Sequence, residues 1–243
     1  MDWSLILIAG LGLFLAGVLK GATGLGYSSC ALPFLVSAVG LRSAMALILI
    51  PAMATNISVA VSAGHFKEVA LRFCGLYVAM LPGIAVGLFL ITWLAQSTAV
   101  HSLGFVIIAY SLFALLRPQL QMSEASEQRL QVPAGFANGV IAGLTGSQVM
   151  PLFPFMMALN LDPNRLVQSI NLAVMFTSVF LAIGLISTGI MTATLAGASV
   201  VAIAPAIWGV EIGTRLRSRI PAARFRIIIL YTLLLSGILL LVR

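Results

Sequence analysis

Apolar stretches close to the length of a membrane crossing recur from one end of this chain to the other, parted only by short polar joints. A span of the hydrocarbon layer takes about 20 residues, within a range of about 17–25. The runs fall at 4–19, 26–39, 44–62, 73–94 and 102–116 in the first half, and at 132–142, 148–160, 167–187, 193–212 and 223–242 in the second. Charged residues make up 8% of the 243 and hydrophobic ones 61%, whereas a soluble domain carries about 25% charged residues to hold its surface in water. Lipid must therefore solvate most side chains, and the fold class is all-α integral membrane. Met1–Asp2–Trp3 supplies no basic region before the first run, so a cleavable export signal is not expected and that run counts as structure.

The opening pair of runs in each half flanks a glycine-rich break, Gly21–Ala22–Thr23–Gly24–Leu25–Gly26 in one and Gly143–Leu144–Thr145–Gly146 in the other. Around these breaks the halves repeat in order. Gly21, Thr23 and Gly24 recur as Gly143, Thr145 and Gly146, Pro33 as Pro154, Asn56 as Asn171, Pro82 as Pro205, and Tyr110 as Tyr231. The polar stretch RPQLQMSEASEQRLQ joins them, dividing the chain into a first repeat (1–116), a linker (117–131) and a second repeat (132–243). Each repeat holds a helical hairpin, partly re-entrant because 26–39 and 148–160 are short, and three transmembrane helices.

Cations set the expected orientation. Arg215, Arg217, Arg219, Arg224 and Arg226 crowd the joint after residue 214, which the positive-inside bias assigns to the cytoplasm. Counting back puts Arg165, the linker with Arg117 and Arg129, and Lys67 with Arg72 inside as well, and both termini in the periplasm. Arg42 and Arg243 are left as exceptions. Three single crossings per half is an odd number, so the second repeat is inverted relative to the first. Secondary transporters use this architecture, with the substrate near the midplane where broken helices meet.

The acids Asp2, Glu68, Glu124, Glu127, Asp162 and Glu211 all lie at a terminus, a joint or a run end, which leaves no buried carboxylate relay. Glu211 stands four residues before Arg215, as in a surface ion pair on one helix face. Lys20 differs. It ends the first run directly before the break, where an ammonium needs an anion, carbonyl partners, or a route to the interface along its own stem. Glycine lets the backbone leave the helix, and amides freed at a new helix N-terminus bind anions without side-chain charge. The candidate substrate-binding residues are Lys20, Gly21, Thr23, Gly24, Gly26 and Ser28 from the first break, and Gly143, Thr145, Gly146, Ser147 and Gln148 from the second. Asn56 and Asn171, each mid-run in an apolar helix, complete the set. Close helix packing is the competing explanation for the glycines, and a bond between helices for the asparagines. Pro51, Pro82 and Pro205 should kink their spans, Cys30 and Cys74 read as apolar packing residues, and His65 and His101 as solvated joint residues. Among motifs of catalysis, H-E-x-x-H, a P-loop and paired intramembrane aspartates are all missing, and no metal-ligand cluster occurs. Neither enzyme activity nor a cofactor is expected, and cations at run ends speak for membrane topology rather than nucleic acid.

LAGVLKGATGLGYSSCALPFLVSAVGLRSAMALILIPAMATN in the first half resembles the opening signature of the TauE/SafE family, also called the toluene sulfonate uptake permease family. GFANGVIAGLTGSQVMPLF and the closing PAARFRIIILYTLLLSGILLL resemble that family's second half. The resemblance implies a bacterial inner-membrane carrier of sulfite, sulfonates or related anions, often an exporter, working by alternating access. Its partners would be a small anion and the lipid bilayer, and a homo-oligomer is compatible with it. An anion channel and a carrier of a non-sulfur carboxylate stand as alternatives. One departure is local: the family usually continues the second Thr-Gly with a Gly-Gly-Pro-Pro-like run, whereas this chain reads Ser147–Gln148–Val149–Met150–Pro151. Those two polar side chains suit a larger or differently shaped anion.

Overall fold

The computed structural model describes residues 3–23, 26–116, 121–217 and 222–242, and within them the chain is all-helical, without a strand. The elements in order are α1 (Trp3–Thr23), α2 (Tyr27–Val39), α3 (Leu41–Ala63), α4 (Phe66–Arg72), α5 (Cys74–Trp93) and α6 (Gln96–Leu116). There follow α7 (Glu124–Thr145), α8 (Leu152–Ala158), α9 (Pro163–Ser187), α10 (Ala193–Val201), α11 (Ile203–Arg217) and α12 (Ala222–Val242). By length and composition, four segments among the described residues can cross a membrane: Cys74–Trp93, Gln96–Leu116, Pro163–Ser187 and Ala193–Leu216. Their outer faces expose Phe89, Trp93, Phe105 and Trp208, side chains that hydrocarbon solvates and water does not.

Lipid removes most of the hydrophobic drive for helix association, so close backbone contact has to hold the bundle together. Facing glycines supply it. α1 crosses α11 with Gly17 on Gly209 and Gly21 on Val210 and Thr214, while α5 crosses α7 with Gly83 on Gly139 and Gly87 on Gly143. A Cβ at Gly17 would overlap the Ala206 carbonyl oxygen, and one at Gly139 that of Met80. Each half thus sends its first helix to a helix of the other half. Gly104 and Gly237 face one another where α6 meets α12, and α3 lies against α9.

Several boundaries differ from the sequence expectation, each for a local reason. α7 begins at Glu124, inside the stretch read as linker, because Ser123 caps it by accepting the Ser126 N–H. Glu124 and Glu127 then sit in the first turn, where the helix dipole favours acids. Glu127 is buried and takes both arms of Arg72 at 2.7 Å. The 193–212 run divides at Ala202, because Pro205 has no N–H for the Val201 carbonyl and its ring crowds that oxygen. Pro51 and Pro82 lie inside uninterrupted helices. Pro51 leaves the Leu47 carbonyl without its helical donor, and Ser199 Oγ of α10 donates to it at 2.8 Å. Cys30 is buried as expected, but Cys74 is exposed at the start of α5. His101 lies within α6 rather than in a joint, since that helix starts at Gln96. Arg42, an exception in the charge count, donates to the Ile91 carbonyl in the last turn of α5 at 2.7 Å, a place where a helix favours a cation.

Candidate functional site

Lys20 lies in the last turn of α1 with its side chain buried. Its Nζ donates to Asn56 Oδ1 on α3 and, at 3.5 Å, to Asn171 Oδ1 on α9. Asn171 Nδ2 donates back to the Val167 carbonyl at 2.8 Å, which turns its oxygen toward the ammonium. The contact of α3 with α9 is what brings one mid-run asparagine from each half to a single cation. Amide oxygens solvate that charge without cancelling it, and among the described residues no carboxylate is paired with Lys20. A positive charge held this way favours an anion beside it.

The two breaks close around the cation. Gly26 has φ 85°, a left-handed conformation that only glycine adopts without strain, and it starts α2 at Tyr27. The first turn of α2, Tyr27 to Ser29, borders the same space as Lys20, and the N–H groups and positive dipole end of a helix N-terminus favour an anion there. From the other half, Gly146 at φ 74° ends α7, and the chain leaves the helix through Ser147, Gln148 and Val149. Asn138 holds this connector by donating to the carbonyls of Gln148 at 3.3 Å and Met150 at 3.1 Å. The Ser29 and Ser147 hydroxyls meet at 3.3 Å and tie the breaks together. Gln148 Nε2 donates to Ser178 Oγ on α9 at 3.2 Å.

A cavity of about 20 Å³ lies at this convergence, lined by Lys20, Gly26, Tyr27, Ser28, Ser29, Asn56, Gln148, Val149, Phe153, Ile170, Asn171 and Val174. That volume is on the scale of one water molecule, so an oxyanion entering here has to push the walls apart. Larger grooves of about 470 and 570 Å³ lie between α1, α2 and α12 and between α5 and α9, without a charged side chain.

Of the sequence candidates, Lys20, Gly26, Ser28, Asn56, Gln148 and Asn171 line the cavity, and Ser147 stands behind Ser29. Thr145 shapes the turn instead: its hydroxyl donates to the Ile141 carbonyl at 2.7 Å and accepts the Ser147 N–H at 3.1 Å. Gly146 acts with it as the helix cap. Gly21 and Gly143 lie at the helix crossings, where their bare backbones admit α11 and α5; they do not line the cavity. Gly24 and the Thr23 side chain are outside what is described. The sequence candidates leave out Tyr27, Ser29, Val149, Phe153, Ile170 and Val174. The last two flank Asn171 at helical spacing, a signal that was available; Phe153 arrives only through the tertiary fold.

Polar contacts also gather at the start of α9. Arg165 donates to Glu68 Oε1 of α4 at 2.8 Å and to Asp162 Oδ2 at 2.6 Å. The Arg165 side-chain hydrogen bond holds the Glu68 carboxyl below its usual range, and the Arg165 backbone N–H leads the causes that do the same for Asp162. Glu211 and Arg215 form the expected pair four residues apart, at 3.0 Å. Among the described residues no group of three His, Cys, Asp or Glu side chains could hold a metal.

The family model described as Sulfite exporter TauE/SafE matches residues 8–240. No curated protein and no solved structure matches the chain.

Proposed function

Because the chain belongs to the sulfite exporter TauE/SafE family, a family of multi-pass membrane transporters, we propose that it is a secondary carrier exporting small sulfur-containing anions such as sulfite or sulfonates. The observation that carries this reading is the buried Lys20 ammonium, held among the described residues by the neutral amides of Asn56 and Asn171. An anion supplies the missing charge, and the first turn of α2 supplies donors. In this proposal the repeats are inverted, the linker is cytoplasmic, both termini are periplasmic, and the membrane is the bacterial inner one. Rocking of one repeat against the other exposes the site to each side in turn. A membrane potential negative inside drives each unit of negative charge outward by about 2.3 kcal/mol per 100 mV, a force that makes export feasible without a coupling ion.

Counterflow in proteoliposomes tests the carrier. Unlabelled sulfite loaded inside should accelerate and transiently concentrate labelled sulfite from outside. Flux without counterflow would mean a channel, and no flux of any sulfur anion would defeat the transport reading.

A further inference from the structure

We infer that the ligand of this site is a monovalent oxyanion that also carries a hydrogen-bond donor, so that hydrogensulfite binds and the sulfite dianion does not. This rests on the anion-site reading given above and narrows it. Two observations independent of Lys20 carry it. Gln148 and Tyr27 both line the cavity, and both hold a buried polar atom, Gln148 Oε1 and Tyr27 Oη, with no partner among the described residues. Buried polar groups are nearly always bonded, because leaving one unmade costs its full desolvation.

Their chemistry is opposite in kind. The Tyr27 hydroxyl can donate to an anionic oxygen, as can the Lys20 ammonium. Gln148 Oε1 is a carbonyl oxygen and can only accept, while one N–H of the same amide goes to Ser178 Oγ. A fully deprotonated oxyanion offers nothing but lone pairs and would set them against that carbonyl oxygen. A ligand with one protonated oxygen satisfies both atoms. Charge points the same way, since Lys20 is the one basic side chain lining the cavity among the described residues, and its protonated form balances one negative charge.

The test is the melting of the purified full-length protein in sodium sulfite, at pH values on either side of the second ionisation of sulfurous acid. Methanesulfonate serves as the matched probe: a small monoanion with no donor and no titration in this range. Lys20 and Tyr27 are the titratable groups lining the cavity, with Cys30 next along α2, and the methanesulfonate series reports any ionisation of their own. Ligands that bind only the folded state raise its melting temperature with saturation. Apparent affinity for total sulfite should fall by about tenfold per pH unit above that ionisation. Methanesulfonate should bind at least about tenfold more weakly than hydrogensulfite, because it leaves the Gln148 acceptor unpaired. Gln148→Met should close that gap. Sulfite affinity that holds or rises with pH, or methanesulfonate binding as tightly as hydrogensulfite, overturns the inference while leaving the anion site intact. If neither anion shifts the melting temperature at any pH, the anion site itself falls.

Discussion

Replacing Gly139 by valine drives a branched side chain into the crossing of α5 and α7. Its Cβ would overlap the Met80 carbonyl oxygen and stand 2.9 Å from Ile84 N and 3.0 Å from Gly83 Cα. All three are backbone atoms, so no side chain can swing clear. Carbon contacts are comfortable at about 3.5–4.0 Å, and the helices must part by roughly 1 Å to reach that separation. Parting them loosens every facing contact along the crossing, from Gly135 on Leu76 to Gly143 on Ile84. Overpacking of this kind costs about 1–3 kcal/mol, and valine's gain in helix propensity over glycine returns only a few tenths of that. Each kcal/mol moves the melting temperature by about 2–4 °C in a chain of this size, so Gly139→Val should melt roughly 2–12 °C lower. The control is Gly197→Val on α10, where nothing lies within 4 Å of an added Cβ. That change should stay within about 0.5 kcal/mol of the parent. Melting of both purified variants in one detergent decides the matter. Equal melting temperatures would refute the claim that bare backbone contact holds these helices together.

Lys20→Met should weaken sulfite binding by about a thousandfold, since two unit charges about 4 Å apart interact by about 4 kcal/mol at an effective dielectric of about 20; ligand-dependent melting measures it. Ser199→Ala removes the donor that Pro51 obliges the Leu47 carbonyl to find elsewhere, and should cost about 1–3 kcal/mol in thermal or denaturant unfolding. The contact of α4 with α9 should weaken in acid. Glu68 and Asp162 have lowered folded-state values, so their contribution is complete above their unfolded values near about pH 4 and is lost as pH falls through the lower folded ones. Melting curves taken from neutral to acidic pH should show that loss, and Glu68→Gln should reduce it.

How much of this was legible in the sequence depends on whether a signal was local. The helical runs could be read because lipid demands apolar length, and α2, α3, α5 and α12 fall close to where hydropathy put them. Lys20, Asn56 and Asn171 stood out as polar residues in apolar runs, though nothing in the sequence said that one ammonium would meet both amides. The start of α7 was hidden because its first two turns are polar and are held by a cap and by the Arg72–Glu127 pair rather than by hydropathy. Gly21 and Gly143 belonged to a repeated motif, but a glycine that admits a neighbouring helix and one that bends the chain look alike in sequence. The exposure of Cys74 was likewise unreadable, since an apolar span facing lipid has the same composition as one facing protein.

The central claim is that a small sulfur anion crosses the membrane by way of Lys20. Sulfite efflux from proteoliposomes holding the parent protein or Lys20→Met at matched density, under an imposed potential negative inside, tests it most directly. The account predicts saturable efflux with the parent and flux at the level of protein-free vesicles with Lys20→Met. Parental rates in a well-folded Lys20→Met protein would contradict it.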